Sequence, residues 1–267
     1  MKKVWQILRW VGWGLACLVV LAVVAFTFYT HTDGFRAFLR EQLVSAINDS
    51  IRGKVSVEKI EGSVWGSLTL VDVRITNDQT EIVAIPRLKV SYALMPLVWG
   101  HVQVLRAAAT QPQLQLREGP DGVWNIVAAF APVEPQSDGP APVVSIRSVE
   151  VDKGNVEVVF GGRSYRLAGL DLRGSARIPP DGMKVDVARI SAALLAEGFP
   201  ESRLQGDVIY EDSGGRESIS FSDFALATGG SRLTVGGKIA DLETLETNAK
   251  LAIDKLAPED IARFVPE

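Results

Sequence analysis

The chain has 267 residues, with 28 Lys and Arg against 32 Asp and Glu, and a single cysteine. One cysteine excludes an intrachain disulfide and any cysteine-based metal site. Beyond residue 29 there are 25 bases against 32 acids, a net charge of −7, which excludes a basic nucleic-acid surface and a polybasic patch for anionic headgroups.

From Val11 to Tyr29 nineteen residues carry no charge, behind Lys2, Lys3 and Arg9. As a helix at about 1.5 Å per residue this run reaches about 28 Å, close to the hydrocarbon thickness of a bilayer. The leading cations, with no acid before Asp33, favour a cytoplasmic basic tail over residues 1–10 and a single-pass inner-membrane anchor over 11–29. Trp5, Trp10 and Trp13 flank one end; Phe26, Phe28 and Tyr29 mark the other. A cleaved signal peptide is the rival reading, with Val23-Val24-Ala25 as a cleavage site, but the run is longer than a typical signal core. The remainder is then periplasmic in a Gram-negative cell.

Phe35, Phe38, Leu39, Leu43, Ala46 and Ile47 recur at three- and four-residue steps, predicting an amphipathic helix over 33–52. Thr32 or Asp33 is its N-cap and Gly53 lies just past its end. Its polar face is mixed rather than basic, so packing on the start of a domain is favoured over lying along a membrane.

From Lys54 the apolar period changes to two. Val55 and Val57 alternate with Ser56 and Glu58; Leu68 and Leu70 give way to Val71, Val73 and Ile75 in the opposite phase, a flip that predicts a bulge or bend. Leu88, Val90 and Tyr92 follow, then Val102 and Val104, then Leu114 and Leu116, completing a first β unit over 53–130. Pro132, Pro135, Pro140 and Pro142 mark a linker over 131–142. A second β unit over 143–267 carries Val156, Val158 and Phe160, Leu170 and Leu172, Val185 and Val187, Phe221, and Leu233 with Val235. Some fourteen strands are expected, stacking to about 65 Å at about 4.8 Å each. Gly161-Gly162 and Gly214-Gly215 read as hairpin turns. The only helical candidates in the body are Asn125–Ala131 and Ser191–Ala196, with a further helix-like insert over 256–266.

The fold class is therefore mainly β. With so few helices, a sheet with one apolar face must fold onto itself as a sandwich, or curl into a trough that something other than protein covers. The same alternation serves both; physics alone favours the sandwich.

No catalytic constellation emerges. His31 and His101 are the only histidines, too few ligands for zinc without body cysteines. Gly62-Ser63-Val64-Trp65-Gly66 lacks the glycine spacing of a nucleophile elbow. Asp152, Asp171 and Asp186 alternate with apolar residues as a solvated strand face. The expectation is no enzyme, no cofactor and no metal.

The run from Gly53 through Gly62-Ser63-Val64-Trp65-Gly66 to Ile75 resembles the opening of the AsmA-like proteins, most closely their TamB branch, named for the translocation and assembly module. So do Leu88-Lys89-Val90-Ser91-Tyr92, Leu97 to Val104, and Asp121-Gly122-Val123-Trp124-Asn125-Ile126. The resemblance implies a β-taco: a long, curled, open sheet whose apolar groove conducts membrane phospholipid between inner and outer membranes, in outer-membrane biogenesis. The groove candidates are Leu88, Val90, Tyr92, Val102, Val104, Leu114, Leu116, Val156, Val158, Phe160, Leu170, Leu172, Val185, Val187, Phe221, Leu233 and Val235. It also implies an Omp85-type outer-membrane barrel as partner, reached through a C-terminal region of a longer protein that this sequence lacks. The alternative is a scaffold of closed β-sandwiches that binds an assembly partner and no lipid.

Overall fold

The computed structural model describes residues 32–77, 80–96, 101–119, 122–133, 143–179, 182–196, 200–213, 216–241 and 246–255, together with Ala257. The anchor over 11–29, the linker from residue 134, Gly214-Gly215 and the insert over 256–266 apart from Ala257 lie outside the described residues. Among the described residues no helix is long and apolar enough to cross a membrane.

Helix α1 (Asp33–Ser50) starts at Thr32, whose hydroxyl accepts from the Phe35 N–H at 3.3 Å, and ends at Ile51. It turns Leu39, Val44 and Ile47 onto the first strands, whereas Phe38 is 54% exposed. The helix is fixed to strand β1 (Lys54–Ser63) at two points. The Asn48 amide accepts from the Val55 N–H at 2.6 Å and donates to the Val55 carbonyl at 3.1 Å. Arg40 Nη1 donates to the Glu58 carbonyl at 2.7 Å. Helix and strand therefore run antiparallel.

Strands β2 (Ser67–Asn77), β3 (Thr80–Ala93), β4 (His101–Thr110) and β5 (Gln113–Arg117) follow. A short helix α2 (Asn125–Phe130) precedes β6 (Val143–Phe160), β7 (Arg163–Ile178), β8 (Gly182–Ala196), β9 (Ser202–Ser213), β10 (Arg216–Thr228), β11 (Ser231–Asp241) and β12 (Glu246–Lys255). All twelve belong to one mixed sheet. Neighbours along it are antiparallel hairpin partners except at one place, where β4 and β5 run end to end between β3 and β6 and pair with β6 in parallel. A parallel pair needs a crossover of a dozen residues or more. The segment from Glu118 to Pro142, containing α2, supplies it. The described strands thus stand in eleven ranks, about 48 Å at about 4.8 Å each, shorter than the length expected from sequence.

One helical expectation fails. Ser191–Ala196 is the end of β8, paired with β7 through Leu194↔Leu167 and with β9 through Ala192↔Leu204. Its Ala and Leu content favours a helix, but cross-strand pairing on both sides decides the outcome. Asn125–Phe130 is helical as read, and Gly161 and Gly162, both at positive φ, close the β6–β7 hairpin.

A line of backbone irregularities crosses the sheet. Among the described residues, the non-glycine positions at positive φ, Asp72, Gln111, Lys153 and Asp223, all sit on it, with Gly169, Gly206 and Gly237. Register connects them: Asp72 faces Pro86 between the pairs Val71↔Arg87 and Val73↔Ile85, Arg87 pairs with Thr110, and Thr110 with Asp152. Pro86 has no N–H to give the ladder, and Asp72 turns its own backbone out of it at the same level. Farther along, the register slips between Val187 and Ile190 and between Phe221 and Phe224. At this line successive residues point the same way, so Glu58-Lys59, Pro86-Arg87, Thr110-Gln111, Asp152-Lys153, Ala188-Arg189 and Ser222-Asp223 are all exposed pairs. This accounts for the phase flip after Leu70. No residue is inserted there, since β1–β2 register runs unbroken from Lys54↔Thr76 to Ser63↔Ser67.

The larger buried hydrophobic clusters lie at the first strands, with small residues such as Ala192, Ala225 and Thr228 buried farther along. Val55, Val57, Ile60, Leu68 and Val73 are buried under α1, and Ile82 and Val83 under Ala129 of α2. Gly53 is buried against α2, its N–H bonded to the Ala129 carbonyl at 2.8 Å; a Cβ at that position would lie 3.1 Å from the same oxygen.

Candidate functional site: an uncovered apolar face

Cross-strand register turns the separate alternations into continuous rows on one face. On one side of the irregular line the row runs Val55, Ile75, Val83, Leu114, Val156, Leu167 and Leu194. It continues two residues along β8 from Ala192 through Leu204, Leu226 and Leu233 to Ile253. On the other side, Leu70, Leu88, Ala109, Val151, Leu172 and Ile190 form a second row. Beside it lie Ile146, Ala176, Val185, Tyr210, Ile219 and Ile239. Tyr92 and Val104 are paired, as are Val187 with Val208 and Val208 with Phe221.

All the residues singled out from sequence, from Leu88 to Val235, fall on this face. Leu88, Val90, Tyr92, Val102, Val104, Leu172, Val185, Val187 and Phe221 lie on one side of the irregular line; Leu114, Leu116, Val156, Val158, Phe160, Leu170, Leu233 and Val235 lie on the other. Cross-strand register adds Leu167, Leu194, Leu204, Leu226 and Ile253 to the face. Leu194 lies in the stretch that sequence reads as helix.

The face is not a closed core. Phe160 is exposed, and the other singled-out residues are all half-buried rather than buried. At the last strand Leu251 and Ile253 are 64% and 55% exposed. The two described helices reach β1, β2, β3 and β5. Trp124, at the start of α2, stacks on Phe160 with centroids 6.1 Å apart. At one end of β9 to β11 the face is closed: Ser202, Thr228 and Ser231 are buried, and the Ala257 N–H bonds Ser231 Oγ at 3.0 Å. Three phenols belong to the face: Tyr92, Tyr165, which pairs with Val158, and Tyr210. Burial raises the Tyr92 pKa, and the Tyr92 hydroxyl donates to the Val64 carbonyl at 2.7 Å. Tyr210 is raised by burial first and by its hydrogen bond to Glu217 second.

The opposite face is charged and cross-linked by ion pairs. Arg74 bonds Asp72 at 3.0 Å and Glu81 at 3.4 Å; Lys184 reaches Glu211 at 3.8 Å and Arg232 reaches Asp254 at 3.6 Å. Arg106 on β4 bonds Glu150 on β6, and this hydrogen bond holds the Glu150 carboxyl below its usual range. A depression of about 860 Å³ spans this face at the irregular line, lined by Arg106, Glu150, Asp152, Asp171, Arg173 and Asp207 among others. Asp171 accepts from the Lys153 N–H at 3.1 Å. Glu150, Asp152, Asp171, Asp207 and Asp223 line it against Arg106, Arg173 and Arg189, so its lining is acidic by two charges. Among the described residues no group of three or more His, Cys, Asp or Glu is placed to hold a metal. His101, at the start of β4, is exposed.

A single open sheet with one apolar face, opened by a helix that follows an apolar N-terminal run, is the setting in which the family comparison falls. A family model for the AsmA family matches residues 1–172. The chain belongs to the AsmA family. The match takes in the anchor-like run, α1, the first six strands and most of β7. No curated protein and no solved structure matches the chain. AsmA membership suggests, in general terms, a role in outer-membrane assembly or lipid transport.

Proposed function

We propose that this AsmA-family chain conducts phospholipid between the inner and outer membranes along the apolar face of its sheet. In this reading residues 11–29 anchor it in the inner membrane with the N-terminus cytoplasmic, and the β body lies in the periplasm. The sheet curls along its irregular line into an open β-taco groove, as bulged strands bend and gain twist. The observation that carries the proposal is the apolar face continuous over β4 to β12, half-buried at Val156, Val187 and Leu233 and exposed at Leu251 and Ile253.

An apolar face of that extent needs a cover, and acyl chains supply one: each buried CH₂ is favourable by about 0.8 kcal/mol. Aliphatic side chains repeat rank after rank, so a tail moving one rank along exchanges one set of contacts for another of the same kind. No catalytic group is required. By the same reading the chain acts as TamB proteins do in outer-membrane biogenesis, with an Omp85-type barrel as partner. The alternative is a scaffold of closed sandwiches that binds an assembly partner and no lipid; pairing of all twelve described strands in one sheet supports the groove over it.

The test is native mass spectrometry and lipid extraction on the full-length chain purified from membranes. Bound phospholipid, displaced when Val156 and Val187 are both replaced by Asp, is the expected result. A folded chain that carries no lipid, or whose lipid survives both substitutions, refutes the proposal.

A further inference from the structure

We infer that the β1–β2 turn, with Trp65 at its tip, and the segment just past β3 that carries Met95 form a membrane-seated rim that rests in the interface of the same bilayer that holds the anchor. The inference rests on the anchor reading above and adds which part of the β body meets the lipid surface.

Three observations place this rim. First, direction: α1 runs antiparallel to β1, fixed by Asn48 at Val55 and Arg40 at Glu58, so the start of the helix and the Trp65 turn lie toward the same end of the sheet. Second, reach: only Thr30 and His31 separate the apolar run ending at Tyr29 from the cap residue Thr32. Three residue steps span at most about 11 Å, which keeps the start of α1 close to the bilayer surface. From the Arg40–Glu58 contact, the helix returns about 10 Å to its first residue, at about 1.5 Å per residue. The strand and turn advance by up to about 23 Å to Trp65, at about 3.3 Å per residue. The turn therefore reaches at least as far toward the membrane as the helix start does.

Third, chemistry: the apolar groups at this end face outward. Trp65 is 51% and Met95 68% exposed, and Phe38 on the first half of α1 is exposed as well. Exposed apolar residues also occur at the far end, among them Val127, Phe130 and Phe160; what singles out this end is the tether. The turn is built to hold its tryptophan out. The Tyr92 hydroxyl bonds the Val64 carbonyl, the Trp65 N–H bonds Ser63 Oγ at 3.3 Å, and the Gly66 N–H bonds the Ser63 carbonyl at 3.2 Å. Gly62, at φ +96°, passes so close to Ser67 that a Cβ would lie 2.4 Å from its carbonyl oxygen. An indole on a rigid turn, half apolar and half polar, suits the headgroup boundary. Ser164, the second residue of β7 beside the β6–β7 turn, lies at the far end of the sheet.

The experiment uses the full-length chain with Cys17→Ser, so that a single cysteine introduced by Trp65→Cys, Met95→Cys or Ser164→Cys carries a nitrobenzoxadiazole label. The chains are reconstituted into vesicles of phosphatidylethanolamine and phosphatidylglycerol, with spin-labelled lipid as quencher. The expected result is blue-shifted emission at positions 65 and 95, quenched by spin label near the headgroups, and aqueous, unquenched emission at 164. The Met95→Cys chain keeps Trp65, so its reading survives if the turn variant misfolds. Aqueous, unquenched emission at both 65 and 95 in chains that float with the vesicles overturns the rim and leaves the anchor standing. Equal quenching at 164 also overturns it, since the sheet then lies flat on the bilayer. Chains that fail to float overturn the anchor, and the rim with it.

Discussion

Replacing Val187 by Asp separates an uncovered face from a closed core. Val187 sits mid-sheet on β8, half-buried and paired with Val208. A carboxylate there keeps access to water in the lipid-free protein, so the folding cost is that of an ordinary substitution, about 1 kcal/mol. For a chain of this size that lowers Tm by about 2–4 °C. Ile60→Asp is the contrast: Ile60 is 2% exposed beneath α1, and an unpaired carboxylate there costs about 4 kcal/mol or more, about 8–16 °C. Lipid binding reverses the order. If about three methylenes of a tail lie over residue 187, losing them at about 0.8 kcal/mol each removes about 2.4 kcal/mol, roughly a fifty-fold drop in occupancy. Thermal unfolding of the full-length chain in detergent gives the first quantity; phospholipid extracted per mole of protein gives the second. A Val187→Asp chain that unfolds as readily as Ile60→Asp refutes the reasoning, because the face is then a closed core. So does one that keeps its lipid.

Other consequences follow from single sites. Lys153 sits at φ +53°, so Lys153→Val costs about 1–2 kcal/mol whereas Lys153→Gly is neutral or stabilising, measured by urea unfolding. Asn48→Ala removes both bonds to Val55 and costs about 1–3 kcal/mol, with hydrogen exchange rising first in α1 and the start of β1. Glu150 has a folded pKa lowered by Arg106, so its contribution is present above the unfolded value near 4.3 and is lost as pH falls through the lower folded value. Wild type is therefore more stable than Glu150→Gln at pH 6, and the gap closes on acidification; a gap that widens contradicts the Arg106 pairing. Gly237→Ala drives a Cβ to 2.4 Å from the Asn248 carbonyl oxygen, so it loosens β12 and raises exchange there while β1 to β8 stay protected.

Much of this architecture was legible in the residues. The three- and four-residue spacing of α1 and the alternation of Val55-Val57, Leu88-Val90-Tyr92 and Val156-Val158 set element type directly, because side-chain period is fixed by backbone geometry. The phase flip after Leu70 signalled a break. Its form was hidden, since Asp72, Gln111, Lys153 and Asp223 have ordinary side chains and their positive φ arises from the ladder around them. Pro86 was visible, but nothing local names Asp72 as its partner. The Pro-rich stretch read as a boundary between two β units; the structure pairs β4 with β6 across it, and the parallel geometry explains why so long a connection stands there. Openness was the least legible property. Alternation serves a sandwich and an open face equally, and only the exposure of residues such as Leu251 and Ile253 distinguishes them. The same holds for the rows themselves, which exist through cross-strand register that no local window contains.

Site-specific photo-crosslinking in living Gram-negative cells asks most directly whether this face carries lipid. Benzoylphenylalanine is placed at Val156, Val187 and Leu233 on the apolar face, and at Lys89, Arg173 and Lys238 on the charged one. Phospholipid adducts at the first three positions and none at the last three are the predicted result. Adducts on both faces alike, or on neither, contradict a lipid-conducting face.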